Sequence, residues 1–356
     1  LFSGPWLPGV PRGALSLRRL TGPPIDPRPD PDEPAVVIFT SGTTALPRAV
    51  VHTLRTLSAG LGLLQQRYAL GPGDIVHTDQ LMLGLPALAG GGCWSLPGTP
   101  LDPARYARQL VERRATHAFL VPGDAARVLD AAARWPGVRG VLLGAAPVVP
   151  ALLRRVRAAA PDAEVLCIYG MTEAPPVAFA TAEEKLAHSG DSGGPGDLMG
   201  TPPAGVRVTA VAGELVVAGP QVCPCYLGEP AHDRVRTGDL GHVDAAGRVL
   251  LVGRRKDMII RGEHNIYPGL YEPRIAALPG VVDALLVGVP EPRTGDEEVV
   301  LALVLEPGTP LEAVRGGLDA VVPGSAFPDR VVAIPEVPRS GRTHKPDREA
   351  LRCALR

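Results

Sequence analysis

The sequence predicts a layered α/β fold, in which a large domain with a β-rich subdomain precedes a small α+β domain. Short apolar runs alternate with helical patterns between residues 35 and 168, as in an α/β core. Beyond residue 200 the pattern changes to short strands separated by turns. The length of 356 residues is enough for one large and one small domain.

The elements of the large domain follow from periodicity and turn residues. Residues 1–34 carry nine prolines and little periodicity, which indicates an irregular arm. Residues 35–39 are a short apolar run, typical of a buried strand. Further helices and strands are predicted as follows: helices over 50–68, 103–114 and 149–159, and strands over 118–121, 139–144 and 164–168, with short strands at 213–218 and within 241–252.

Composition excludes several classes of function. The 36 lysines and arginines nearly balance the 37 aspartates and glutamates, so we expect no nucleic-acid partner. No apolar run approaches the roughly 18 residues of a membrane span, and the N-terminus lacks the pattern of a signal peptide. The five scattered cysteines favour a reducing, cytoplasmic compartment. Cys223 and Cys225 have the wrong spacing for zinc, and we expect structural thiols.

A hydroxyl-rich loop follows the first predicted strand. It comprises Thr40, Ser41, Gly42, Thr43 and Thr44, with Arg48 shortly after. Successive backbone N–H groups and hydroxyls can converge on a polyphosphate, and an arginine adds positive charge. A plain surface turn is the alternative, because the Gly-Lys-Ser/Thr of a Walker loop is missing.

Two further motifs follow predicted strands. The first, Gly144, Ala145, Ala146 and Pro147, is a turn whose backbone can approach a flat ring closely, or an ordinary strand-to-helix connection. The second comprises Tyr169, Gly170, Met171, Thr172 and Glu173. It combines an aromatic ring for stacking, a hydroxyl donor and a carboxylate suited to Mg²⁺.

In this order, and over residues 30–350, the motifs resemble those of the acyl-adenylate-forming superfamily. That family includes acyl- and aryl-CoA synthetases, peptide-synthetase adenylation domains and luciferases. The loop from Thr40 resembles the family's T-S-G-T-T/S-G-x-P-K-G, with Ala45, Arg48 and Ala49 as departures. The sequence from Tyr169 to Glu173 matches Y-G-x-T-E.

The resemblance implies a role for each matching residue. Residues 40–44 and Arg48 would hold phosphates, and residues 144–147 would lie against adenine. Tyr169 would stack on the base, with Thr172 on phosphate and Glu173 on the metal. Asp239 of the T-G-D motif and Arg254 would contact ribose, and Lys345 would stabilise charge on the α-phosphate.

The same resemblance implies a division of the chain and a reaction. A large domain over 35–255 would be joined at the hinge residue Lys256 to a mobile small domain over 256–356. The implied reaction is Mg-ATP-dependent adenylation of a carboxylic acid, with transfer to CoA as co-substrate. The apolar residues 81–94 favour an apolar acid.

Some features depart from the family and leave alternatives open. About a hundred or more residues usually precede the loop in this family and only about 35 do here, so we expect a fragment or an N-terminally shortened homologue. Glu263 stands where many CoA-using members have glycine, which favours another acceptor. The stretch from Thr172 to Ala178 is similar to that of β-lactone synthetases. A nucleotide-binding pseudoenzyme or partner subunit is a further alternative, and His77 is either an acyl-pocket residue or a structural histidine.

Overall fold

The computed structural model describes most of the chain. The described residues are 30–40, 48–98, 100–188, 196–254, 257–261, 264–290, 297–340 and 345–355. Most of the predicted phosphate loop (Ser41, Gly42, Thr43 and Thr44), the arm over 1–29, the hinge residue Lys256 and Glu263 lie outside these ranges, as does the side chain of Arg254.

Helices and strands alternate in the first half of the described chain, and shorter helices occur in its second half. The helices are α1 (Leu54–Tyr68), α2 (Leu81–Ala89), α3 (Pro103–Glu112), α4 (Pro122–Ala131), α5 (Pro150–Ala159), α6 (Ala182–His188), α7 (Glu272–Ile275), α8 (Leu311–Arg315) and α9 (Arg348–Leu355). The strands before residue 200 are β1 (Pro34–Phe39), β2 (Ala49–Thr53), β3 (Ile75–His77), β4 (Cys93–Ser95), β5 (His117–Leu120), β6 (Gly140–Gly144), β7 (Glu164–Met171), β8 (Ala174–Thr181) and β9 (Asp197–Gly200).

Strands dominate the second half. They are β10 (Arg207–Val211), β11 (Glu214–Ala218), β12 (Cys225–Tyr226), β13 (Arg234–Val243), β14 (Val249–Arg254), β15 (Ile259–Arg261), β16 (His264–Ile266), β17 (Val281–Pro290), β18 (Glu297–Leu305), β19 (Arg330–Ala333), β20 (Arg339–Ser340) and β21 (Lys345–Pro346). Single 3-10 turns occur at Pro268–Leu270, Leu318–Ala320 and Gly324–Ala326.

A six-stranded sheet forms the centre of the large domain, in the order β4-β3-β5-β6-β7-β8. Its strands are parallel except β8, which pairs antiparallel with β7. Helices α3, α4 and α5 cover the face that carries Val141 and Leu143. Helices α1 and α2 cover the opposite face, which carries Leu142 and Leu166. Helices thus cover both apolar faces of the sheet, as a mostly parallel sheet requires. This arrangement confirms the predicted layered α/β core.

Smaller sheets surround this core. Strands β1, β2 and β12 form a three-stranded sheet, and β10-β11-β13-β14-β9 form an antiparallel sheet, as expected of a β-rich subdomain. In the C-terminal part, β17-β18-β19 pack with α7 and α8 around a separate apolar cluster. The hairpins β15–β16 and β20–β21 flank this last unit in sequence.

The predicted start of the first helix and the predicted burial of the first strand are wrong. The segment predicted as a helix from residue 50 begins as strand β2, and α1 starts only at Leu54. The reason is local, because the β-branched Val50 and Val51 favour a strand and Thr53 caps the helix, accepting a hydrogen bond from the backbone N–H of Thr56. The predicted buried strand over 35–39 is largely exposed, with Phe39 67% exposed.

Two motifs also lie within longer strands than predicted. Strand β7 continues past Ile168 to Met171, so Tyr169 belongs to it. The segment from Thr237 to Asp239, which precedes the strand predicted within 241–252, lies inside β13. Among the described residues, no helix is both long and apolar enough to cross a membrane.

His77 is completely buried in β3. Its Nδ1 lies 2.9 Å from Oγ of Ser95, and its ring lies 4.5 Å from that of Tyr106. Burial, together with the charge of Arg113, lowers the pKa of His77 to about 4. This environment is that of a neutral structural histidine and not that of an acyl-pocket residue.

We expect His77 to make the fold acid-sensitive. Its pKa is depressed in the folded state, so the unfolded chain binds more protons below about pH 6.5, and stability falls as the pH is lowered towards 4. The loss attributable to His77 is about 3 kcal/mol, since each pKa unit corresponds to about 1.4 kcal/mol. Denaturant unfolding of wild type and His77→Asn between pH 7 and 4 measures it. A stability difference between the two proteins that stays constant with pH would contradict this assignment.

Candidate nucleotide site

The hairpin of β7 and β8 carries the Tyr169–Glu173 motif. Met171 pairs with Ala174, so Thr172 and Glu173 form a two-residue turn at the end of the sheet. The register shifts between Tyr169 and Met171, which places the exposed Gly170 at a β-bulge. The motif therefore presents its ring, hydroxyl and carboxylate at the carboxyl edge of the parallel strands, where ligands of α/β sheets bind.

Tyr169 and Asp239 meet, although 70 residues separate them. The hydroxyl of Tyr169 donates a hydrogen bond of 2.7 Å to Oδ2 of Asp239. Asp239 is buried, and its backbone N–H donates to Oγ1 of Thr237. Across β13 and β14, the Cα of Asp239 is paired with that of Arg254. The structure thus brings the side chains of Tyr169 and Asp239 into contact and places the backbone of Arg254 beside that of Asp239.

Contacts from the β1-β2-β12 sheet hold the turn at Thr172 and Glu173. Nε2 of His52 donates a 2.7 Å hydrogen bond to the carbonyl oxygen of Thr172. The backbone N–H of Cys223 donates to the carbonyl oxygen of Glu173, and the hydroxyl of Tyr226 donates to Oε1 of Glu173 at 2.9 Å. The turn is therefore fixed through both its backbone and its carboxylate.

The environment fixes the protonation states of these groups. Burial lowers the pKa of His52, so the imidazole is neutral at pH 7 and carries its proton on Nε2. Burial and the neighbouring Glu173 raise the pKa of Tyr226, which keeps its hydroxyl a donor. Burial also raises the pKa of Cys223 to about 12, so this residue is an inert thiol.

Glu173 is suited to hold Mg²⁺ together with phosphate oxygens. Its Oε1 is taken by Tyr226, while within the described chain its Oε2 accepts no hydrogen bond. No group of three or more His, Cys, Asp and Glu side chains in the described ranges could form an all-protein metal site. This is compatible with Mg²⁺, which is commonly bound through one or two carboxylates and the phosphates of a substrate.

The side chain of Arg48 contacts Tyr226 and Glu229. Its guanidinium lies 3.3 Å from the ring centroid of Tyr226 and pairs with Glu229 at 2.7 Å. The backbone N–H of Thr40 donates to the carbonyl oxygen of Arg48, so these residues join the two ends of the loop. The phosphate-binding role predicted for Arg48 stays a prediction, whereas its contact with Tyr226 was not expected from the sequence.

The turn at Gly144 has a packing explanation. A Cβ there would lie 2.4 Å from Cγ2 of Ile168 on the adjacent strand β7. Ala145 follows with a φ of 67°, and both Ala145 and Pro147 are exposed while Ala146 is half-buried. The glycine is thus needed for contact between two strands, and the adenine contact of this turn stays a prediction.

Lys345 lies on the hairpin of β20 and β21, opposite Ser340. One ion pair holds the hairpin itself, and a second holds the start of α9 directly after it. Arg339 donates to Asp283 at 2.9 Å, and Arg348 makes paired hydrogen bonds of 2.7 Å to Glu272. The exposed Lys345 is therefore presented from a fixed base.

Family models match both parts of the chain. The model described as AMP-binding enzyme matches residues 7–227, and the one described as AMP-binding enzyme C-terminal domain matches residues 271–345. The first match begins within the segment predicted as an irregular arm.

Several of the curated relatives are named as CoA ligases or CoA synthases. The chain is 31% identical to 4-chlorobenzoate–CoA ligase of Arthrobacter sp. over 338 residues, covering 88% of this chain and 64% of the relative. It is 31% identical to feruloyl-CoA synthase of Amycolatopsis sp., covering 74% of this chain and 58% of the relative. The chain thus spans less than two thirds of the length of these relatives.

Solved structures share the fold. The amide bond synthetase McbA from Marinactinospora thermotolerans superposes with a TM-score of 0.78 at 26% identity, over 92% of this chain and 71% of that one. ATP-bound MatB from Rhodopseudomonas palustris superposes with a TM-score of 0.77 at 26% identity, over 92% and 69%. The two structures thus cover similar shares of this chain.

We expect Gly144→Ala to destabilise the fold by about 1–3 kcal/mol, because the added methyl group overpacks the contact with Ile168. Ala145→Gly is the matched control: it relieves a left-handed backbone and should leave stability within about 1 kcal/mol of wild type. Denaturant midpoints measure both. A wild-type midpoint for Gly144→Ala would contradict the packing explanation for this glycine.

Proposed function

Because the chain belongs to the AMP-binding enzyme family, we propose that its site adenylates a carboxylic acid with ATP. The observation that carries the proposal is the hydrogen bond between Tyr169 and Asp239, which joins the expected base-stacking ring to the expected ribose-binding carboxylate. A nucleoside lying on the Tyr169 ring would place its ribose hydroxyls at Asp239 and Arg254.

Each residue of the proposed site has a separate role in an in-line displacement at phosphorus. A carboxylate oxygen of the acid attacks the α-phosphorus of ATP, and the bond to pyrophosphate breaks, leaving acyl-AMP. Donors of the loop from Thr40 to Thr44 hold the phosphates, and Thr172 donates to the α-phosphate. Glu173 would hold Mg²⁺, which neutralises charge on the phosphates when bound. Lys345 supplies a point charge for the five-coordinate phosphorus.

The use of lysine in this chain supports the assignment of Lys345. Lysine occurs at only three positions, Lys185, Lys256 and Lys345, among 36 lysines and arginines. Lys185 is buried in an ion pair with Asp197. The other two stand at the proposed hinge and at the proposed catalytic position, in a chain that otherwise uses arginine. Since arginine cannot replace the compact, flexible ammonium, retention of lysine there supports a chemical role.

For the second half-reaction we propose rotation of the small domain about Lys256 and transfer of the acyl group to CoA, as the names of the curated relatives suggest. A different acceptor is a second candidate, supported by Glu263 in the sequence and by the amide bond synthetase among the structural relatives. A β-lactone-forming reaction on a β-hydroxy acid is a variant of this candidate.

Carboxylate-dependent exchange of pyrophosphate into ATP tests the adenylation step. With a panel of aryl and alkyl acids, we expect exchange that falls about 10²–10³-fold in Lys345→Ala, the loss typical of removing one group that stabilises transition-state charge. Arg234→Ala, which removes a surface cation paired with Asp233, is the control and should exchange like wild type. Absence of exchange with every acid would instead support a nucleotide-binding pseudoenzyme.

Product analysis distinguishes the acceptors. With the best acid and ATP, we expect Glu263→Gly to raise the rate of CoA thioester formation relative to wild type, because the carboxylate repels the phosphates of CoA. Parallel reactions with an amine, or with a β-hydroxy acid and no CoA, identify the other acceptors. Equal CoA rates in wild type and Glu263→Gly would refute a role for Glu263 in acceptor choice.

A further inference from the structure

We propose that Tyr226 is a positioning residue for the metal-binding carboxylate of Glu173 and that Arg48 acts through Tyr226. This inference rests on the proposed function, since it assigns Glu173 to Mg²⁺. It gives a role to Tyr226 and Arg48, which meet beside the β1-β2-β12 sheet. In that sheet β12 pairs with β2, with Tyr226 opposite Val50.

The hydroxyl of Tyr226 determines which carboxylate oxygen of Glu173 is available to bind a metal ion. Tyr226 is 7% exposed, and its hydroxyl donates to Oε1 of Glu173. Glu173 is 9% exposed as a residue, and its carboxylate receives this hydrogen bond on one oxygen only, within the described residues. Fixing Oε1 therefore orients Oε2 as the atom offered to a cation. Such outer contacts commonly change metal affinity by about 10–100-fold.

Arg48 holds the ring of Tyr226 from the other side. Its guanidinium lies against the ring face at 3.3 Å, and its charge is paired with Glu229. The positive charge of Arg48 on the ring face draws electron density from the phenol. The hydroxyl of Tyr226 is therefore a better hydrogen-bond donor to the carboxylate of Glu173. Arg48 thus contributes to the site through the aromatic ring, with its positive charge already engaged by a carboxylate.

The test measures how much Mg²⁺ increases the affinity of ATP for the full chain. Calorimetric titrations with ATP are made in Mg²⁺ and in EDTA, for wild type, Tyr226→Phe and Tyr68→Phe. Tyr226→Phe removes the hydroxyl and keeps the ring under Arg48. Tyr68→Phe is the matched control, because its buried hydroxyl has no hydrogen-bond partner among the described residues.

We expect the Mg²⁺-dependent gain in ATP affinity to fall about tenfold in Tyr226→Phe, with ATP affinity in EDTA unchanged. Tyr68→Phe should match wild type. A wild-type gain in a folded Tyr226→Phe would overturn the inference and leave the proposed function intact. Absence of ATP binding by wild type would overturn the proposed function.

The single variant Arg48→Gln tests the role of Arg48 and stands in by itself if Tyr226→Phe does not fold, and a folded Tyr226→Phe allows a double-mutant cycle. Arg48→Gln should reduce the Mg²⁺-dependent gain in the same direction but by less. In the Tyr226→Phe background, Arg48→Gln should have little further effect, because the two residues act through one contact. Additive losses would show that Arg48 acts independently of Tyr226 and would overturn its proposed role. A loss that appears equally in EDTA would overturn it in favour of a metal-independent effect of Arg48 on ATP binding.

Discussion

The antiparallel hairpin of β7 and β8 is the constraint on which the site depends. Strand β7 pairs in parallel with β6, but the chain then returns along β8 after only Thr172 and Glu173. The tight turn leaves a hydroxyl and a carboxylate at the carboxyl edge of the sheet, next to the ring of Tyr169.

Other sheets reach this hairpin and fix it. The β1-β2-β12 sheet contributes His52 and Tyr226 to the turn, and β13 of the antiparallel sheet contributes Asp239 to Tyr169. Burial keeps His52 neutral and Tyr226 protonated, so both are donors towards oxygen atoms of the turn. The candidate nucleotide site is therefore a junction of three sheets, and its geometry depends on their mutual packing.

Much of the fold could be predicted from the sequence, because alternation of strands and helices is a local pattern. The apolar run ending at Gly144 and the strand leading to Tyr169 were identified from residues within each segment. The start of α1 was placed too early, since Val50 and Val51 are compatible with either element until Thr53 caps the helix. The contacts of Tyr226 with Glu173 and of His52 with Thr172 were not predictable, because the partners lie 53 and 120 residues apart in sequence. Nothing in a single sequence indicates such pairs.

A crystal structure of the chain with AMP tests the central claim most directly. The account predicts that the adenine ring stacks on Tyr169, and that the ribose hydroxyls lie within hydrogen-bond distance of Asp239. The bond between Tyr169 and Asp239 should persist, because it fixes the carboxylate that receives the ribose. AMP bound at another surface, with the Tyr169 ring uncovered at saturating nucleotide, would contradict the account.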